Sequence, residues 1–209
     1  MSSSRRSYSS PRRQRQAEAT RHAIAEAARS LFVERGWAAT QLRDVAALAD
    51  VAESTVYAVY GSKAGLAFAL VDAADAAADY LELVAELEEA ANDPSTQLGV
   101  LSRFDRRLFE RNGALITLLQ DAGRTEPSLK GAYDEGRRRA WRLRSDVFGN
   151  WPDGTLRRQL TVKLAADIST VVCSFDNYRE LTTEHGWTPD EVERWWHQAQ
   201  ITLLLADHS

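Results

Sequence analysis

Apolar residues recur every three or four positions along most of the chain, the spacing that turns one face of an α-helix toward a core. Ile24, Ala27, Ala28, Leu31 and Phe32 make the first stripe, on a helix predicted to begin near Arg15 and to stop at Gly36, where a residue tolerant of positive φ suits a C-terminus. Thr40 has the hydroxyl of an N-cap for a short second helix with Leu42, Val45, Ala46 and Ala49 inward. Asp50-Val51 leaves room for a turn only. A third short helix, about Glu53 to Val59, turns Val56 inward; Gly61-Ser62 breaks it, and Ser62 caps a long fourth helix from Lys63. On that helix Leu66, Leu70, Ala73, Ala77, Tyr80, Val84 and Leu87 form the apolar stripe, with Asp72, Asp75, Asp79, Glu82, Glu86 and Glu89 as a solvated acidic face.

The pattern continues to the end of the chain. Helices are predicted over 95–111, 114–123 and 128–148, the last with Tyr133, Gly136, Ala140, Leu143 and Val147 on one face. Another carries Leu164, Ile168, Val171, Val172, Phe175 and Tyr178 on a single stripe, and Gly186 ends it. Thr188, Pro189 and Glu191 read as a capping box with proline at the first helical position. Val192, Trp195, Trp196, Ala199 and Leu203 follow at helical spacing. The Asp153-Gly154 pair leads into a helical pattern, and no Asn-Gly or Asp-Gly turn joins two alternating runs. The fold class read from the sequence is all-α.

Composition narrows the function classes. With 44% hydrophobic and 27% charged residues over 209 positions, the chain is an ordinary globular sequence long enough for a sizeable core. Its one cysteine forms no internal disulfide framework. No stretch has the length and apolarity of a membrane span, and the opening MSSSRRSYSSPRRQRQ lacks the apolar core of a secretory signal; the expectation is a cytoplasmic protein without a membrane partner. The net charge of −4 is uneven: residues 1–66 carry 10 basic and 6 acidic side chains, and residues 1–15 five arginines and no acid. A basic front on an acidic body points the front at a polyanion. His22, His185, His197 and His208 show no metal-ligand spacing, and no glycine-rich phosphate loop or nucleophile elbow is present. No metal, cofactor or enzymatic activity is expected.

Two short helices joined by a tight turn after a longer helix are a helix-turn-helix arrangement. The ordered set Gly36-Trp37, Thr40, Val45-Ala46, Ala49-Asp50-Val51 and Ser54 to Leu66 (STVYAVYGSKAGL) resembles the tetracycline-repressor (TetR) family over about residues 17–66. The resemblance implies a flexible basic arm (1–14), a DNA-binding domain (15–66) and a helical ligand-binding and dimerisation domain (67–209). It implies that Glu53, Ser54 and Thr55 face base edges, that Thr40, Tyr57 and Lys63 meet the phosphate backbone, that Arg43 reaches guanine, and that Gln41 is a further DNA-binding residue. Each also has an ordinary reading: Thr40 as a plain cap, Tyr57 as packing, Lys63 as a solvated lysine. The chain departs from the family with Asp50 where glycine is usual and Ala52 where serine often caps the third helix. Aspartate tolerates left-handed backbone. Glu53 repels phosphate but can accept from cytosine N4. The arginines of the arm could sit on DNA or serve as a solubilising tail.

The body is expected to form a homodimer through its last two long helices, with Phe175, Val192, Trp195, Trp196, Ala199 and Leu203 as interface candidates; filling the monomer core is the competing use. Phe104, Leu108, Leu115, Trp141, Phe148 and Ile168 are the candidate lining of a cavity for a small-molecule effector, or plain core. Asp167 is read as solvent-facing, with a buried ligand anchor as the alternative. Arg137, Arg138, Arg139, Arg142 and Arg144 are read as a solvated face paired with acids, and Cys173 as a buried small hydrophobe. By resemblance the function is a transcription repressor on double-stranded operator DNA, released by its effector, with the fourth helix as the lever. The alternatives are a DNA-binding protein without ligand response and an activator of the same fold.

Overall fold

The computed structural model describes residues 11–206. The chain is all-α, and among the described residues the only extended pairing is a bridge between Leu156 and Leu205. No helix among them is long and apolar enough to cross a membrane. The chain divides into two compact units, Met1–Leu70 and Val71–Ser209.

The front unit holds α1 (Pro11–Arg35), α2 (Leu42–Leu48), α3 (Glu53–Tyr60) and the start of α4 (Lys63–Ala77). Positions 1–10 of the expected arm lie outside the described residues, and positions 11–14 are helical rather than part of a flexible arm. The expected stripe of α1 is buried, with Ile24, Ala28 and Phe32 fully enclosed and Phe32 packed on Trp37. Thr40 is corrected: α2 starts at Leu42 with Gln41 as its N-cap, whose backbone N–H is held by Asp44 Oδ2 at 3.1 Å. The Thr40 hydroxyl instead points back at the end of α1, toward the carbonyls of Gly36 (2.9 Å) and Leu31 (3.1 Å). It serves carbonyls at the C-terminal end of one helix rather than the orphan donors of the next. The turn between α2 and α3 runs through Asp50 at φ +54°, and no side chain caps α3 at Ala52. Val56 is the one buried residue of α3.

In the body the expected long fourth helix is two. Asp79 adopts φ +66° between the end of α4 and α5 (Tyr80–Glu89). Leu66, Leu70 and Leu87 of the expected stripe are buried, as are Val71, Ala74, Ala78 and Leu83, whereas Ala77 and Tyr80 are exposed. Conversely, the helices expected over 95–111 and 114–123 are one, α6 (Pro94–Ala122). Gly113 continues it, with the Phe175 ring lying 3.5 Å from where a Cβ would stand; packing overrides the poor helix propensity of glycine. α7 (Pro127–Gly149) lies against α6 and α8 (Val162–Val172). The single stripe expected from Leu164 to Tyr178 is not present. Leu164 and Val171 are exposed, and α8 buries Ala165, Ala166, Ser169 and the adjoining Cys173. Ser174 then caps a separate short helix, α9 (Phe175–Arg179), which runs into a π-helical turn at Glu180–Glu184. α10 (Pro189–Leu204) has the expected Thr188/Glu191 capping box and packs on α6 and α8. One core cluster joins Leu98, Leu101, Phe104, Phe148, Ala165 and Leu204; a second joins Cys173, Phe175, Tyr178, Val192 and Trp196.

The left-handed turn at Asp50 gives a direct test. Asp50→Gly is expected to change stability by less than about 1 kcal/mol, since glycine trades unfolded-state entropy for relief of strain. Asp50→Val is expected to destabilise by roughly 1–2 kcal/mol, because a β-branched residue meets the full left-handed penalty. Denaturant unfolding of the two variants measures the difference.

Candidate functional site

The geometry of the front unit separates the site candidates by exposure. Gln41, Arg43, Glu53, Ser54 and Tyr57 are exposed, and Thr55 is half-buried beside Val56. Val56 anchors α3 so that its first turn and Tyr57 stand free, with the Tyr57 side chain half accessible. The Arg43 guanidinium is mostly solvated, with Asp44 only at the edge of ion-pair range (3.9 Å). The side chain of Thr40 lies inside the fold at 1% exposure, so the phosphate contact assigned to it by resemblance is not available to its hydroxyl. Lys63 turns inward as well: its ammonium donates to the Trp37 carbonyl and sits 4.3 Å from the Trp37 ring centroid. Tyr60, part of the STVYAVYGSKAGL motif but given no role of its own from sequence, donates its hydroxyl to the Arg21 carbonyl at 2.9 Å and ties the end of α3 to α1.

The body contains a cavity of about 280 Å³ with mostly apolar walls, among them Val71, Leu108, Phe109, Leu115, Ile116, Leu119 and Phe175. Of the six expected lining residues, Leu108 and Leu115 face it. Phe104 and Leu108 face a neighbouring open cleft of about 870 Å³. Phe148 and Ile168 belong to the packed core, and the Trp141 indole N–H donates to Asp167 at 2.8 Å; none of the three lines either space. Asp167 stays partly solvated beside Lys163, which holds its carboxyl below the usual range together with Trp141. Asp75, Asp105, Leu108, Gly136, Ala140 and Arg144 line both the cavity and the cleft and so form the wall between them.

That wall contains what the sequence pattern does not reveal. Arg144 falls among the arginines expected on a solvated face; Arg138, Arg139 and Arg142 do meet Glu135 there, and Arg139 also meets Asp72 and Asp75. Arg144 is buried instead, paired with the buried Asp105, and its Nε donates to Ser169 Oγ at 2.9 Å. Ser169 donates to Gln200, and Gln200 donates to Ser102 at 2.9 Å. Burial pushes the Asp105 carboxyl up to about 6 against the pull of the guanidinium. Burial likewise pushes the Cys173 thiol far up. The one sequence signal for Arg144 is its register: four residues after Ala140 and four before Phe148, on the inward face of α7.

Residues 24–70 match the family model of bacterial regulatory proteins of the tetR family. The front domain of the chain is thus similar to the DNA-binding domain of that family. The HTH-type transcriptional regulator TtgR of Pseudomonas putida is 38% identical over 98 residues, 47% of this chain and 45% of that one. The chain thus spans less than half the length of the curated relatives it matches. The fold likeness is broader. The SmeT–triclosan complex superposes with a TM-score of 0.71 at 21% identity, covering 90% of this chain and 93% of that one. NalD of Pseudomonas aeruginosa, a repressor of a multidrug efflux pump, does so with 0.70 at 20% identity, covering 93% and 100%.

The expected interface residues part into two groups. Phe175, Val192 and Trp196 are core residues and are corrected: Trp196 packs edge-on against Phe109 and also meets Tyr178, leaving nothing to offer a second copy. Trp195 and Leu203 are 41% and 45% exposed on α10, and Leu164 and Val171 are exposed on the adjoining α8. Ala199 is half-buried between the two groups.

The buried pair makes two predictions. Asp105→Leu strands the Arg144 charge and is expected to cost about 3–5 kcal/mol, while Asp105→Leu with Arg144→Met recovers most of it; equilibrium unfolding of both variants checks this. The second concerns pH. The folded carboxyl keeps its proton up to about 6, whereas the ordinary value is 3.8. Between those values the folded state holds more protons, so stability from this group is greatest below the lower one and declines as pH rises to the upper. Wild-type stability relative to Asp105→Asn is expected to fall across that window and level off above it.

Proposed function

We propose that the chain is a sequence-specific DNA-binding transcription regulator, a repressor released by a small molecule that enters the body. The observation that carries this reading is α3: a short helix fixed by a single buried valine, with Glu53, Ser54 and Tyr57 exposed, in a domain that matches the TetR family. A helix of that width fits the major groove, about 12 Å across, and side chains near its start reach base edges. Glu53, Ser54 and Thr55 read bases; Gln41 and Tyr57 meet phosphate, and Arg43 reaches guanine. Lys63 serves the backbone only after leaving Trp37.

Reading paired half-sites about 34–36 Å apart requires a two-fold dimer. The exposed apolar residues of α8 and α10 support that reading, since Leu164, Val171, Trp195 and Leu203 would be covered in a dimer. The effector is a compact, largely apolar molecule. The cavity of about 280 Å³ supports this, because an engineered apolar cavity of about half that volume already accepts benzene. SmeT, of like fold, is known in complex with triclosan. The effector releases the operator by its differential affinity for the DNA-bound and free conformations.

Selection of bound sequences from a random duplex pool is the decisive experiment. Recovery of an inverted repeat is expected; a pool without enrichment overturns the reading. Glu53→Ala is expected to relax base preference at one position of each half-site, losing about 1–3 kcal/mol of discrimination, as read by repeating the selection. Gly136→Leu grows a side chain into the space shared by cavity and cleft. It is expected to keep operator affinity and lose release by apolar compounds in a fluorescence-anisotropy titration.

A further inference from the structure

The first turns of α1 have no core to rest on. Every side chain from Arg12 to Ala19 is exposed, and the buried stripe of the helix begins only at Ile24. Arg12, Arg13 and Arg15 stand there against the single acid Glu18. Among the described residues none of the three arginines has a carboxylate partner. Like charges at this spacing disfavour a helix in water, and an overhang without apolar burial adds nothing to the core. Its composition is that of a segment suited to a polyanion.

Its position is set within the front unit. Tyr60, the last residue of α3, donates to the Arg21 carbonyl, so the overhang leaves the unit beside the end of the helix proposed to read bases. Helical periodicity gives the orientation. Arg13 lies seven residues before Thr20, eleven before Ile24 and eighteen before Leu31, on the side of α1 that carries the buried Ile24 and Leu31. Arg12 and Arg15 extend the basic arc to about 160° of the circumference.

We propose that this basic overhang is a second DNA-binding element, which lies along the phosphate backbone of the duplex flanking each half-site. This rests on α3 reading a half-site. From Arg21 back to Arg12 the helix rises about 14 Å, the length of about four base-pair steps. The contact is to phosphate, so it adds affinity without base preference and is sensitive to salt.

The test compares wild type with two triple variants, Arg12→Ala/Arg13→Ala/Arg15→Ala and Arg12→Lys/Arg13→Lys/Arg15→Lys. The duplex is the selected inverted repeat, with flanks of several base pairs or trimmed to the repeat. All three positions are exposed, so both variants are expected to melt as wild type does. Wild type is expected to bind the long duplex more tightly than the trimmed one. The alanine variant is expected to bind both alike, about 10–100-fold more weakly than wild type binds the long duplex at low salt. Its slope of log K against log salt should be shallower by about 0.9 for each phosphate that the arginines no longer neutralise. The lysine variant should keep the wild-type slope. An alanine variant with wild-type slope and flank dependence overturns the proposal, and so does a lysine variant that fails as alanine does, since a backbone contact needs only the charge. Wild type without affinity for any duplex overturns both this proposal and the reading of α3; wild-type affinity with an unmoved alanine variant overturns this one alone.

Discussion

The body of this protein is organised round a charge that it keeps from water. Arg144 on α7 meets Asp105 on α6 and Ser169 on α8; Ser169 passes its hydrogen to Gln200 on α10, and Gln200 returns to Ser102 on α6. The ring closes through four helices. Hydrophobic contacts tolerate a helix sliding by part of a turn, whereas a closed circuit of buried donors and acceptors does not, because each slip strands a polar group. Its contribution to net stability is small beside the cost of desolvating the pair; its effect is on register. The same ring forms part of the wall of the cavity, so the shape of that space is tied to the relative positions of all four helices.

The front unit solves the opposite problem. A helix that reads DNA must leave its polar face unburied, so it can spend few residues on the core. α3 is held by Val56, by the left-handed turn at Asp50 and by the Tyr60 hydroxyl on Arg21. The absent cap at Ala52 fits this economy: the first N–H groups of α3 have no side chain from that position competing for them.

The front is legible from sequence because its signals are local. Gly36, the turn at Asp50 and the break at Gly61-Ser62 act within a few residues, and each stands where the pattern places it. The body is less legible because its boundaries are set by packing. Gly113 reads as a break yet continues α6 against Phe175, and Asp79 reads as one more surface acid yet ends α4. The cavity suffers from the same limit: Phe104 and Phe148 are equally apolar and share one core cluster, and only the three-dimensional arrangement lets Phe104 also edge an open cleft. Thr40 misleads for a different reason, since a threonine hydroxyl serves the helix before it or the helix after it with the same local sequence. Arg144 misleads because an arginine among arginines looks solvated.

Cys173 carries a practical corollary. The chain's sole thiol is shut inside the second core cluster, and its burial withholds the thiolate on which alkylation and disulfide exchange depend. Covalent cross-linking of two copies through sulfur therefore requires that cluster to come apart first. Cys173 also lines the cavity, so its labelling by a small thiol reagent reports entry to that space as well as opening of the interior.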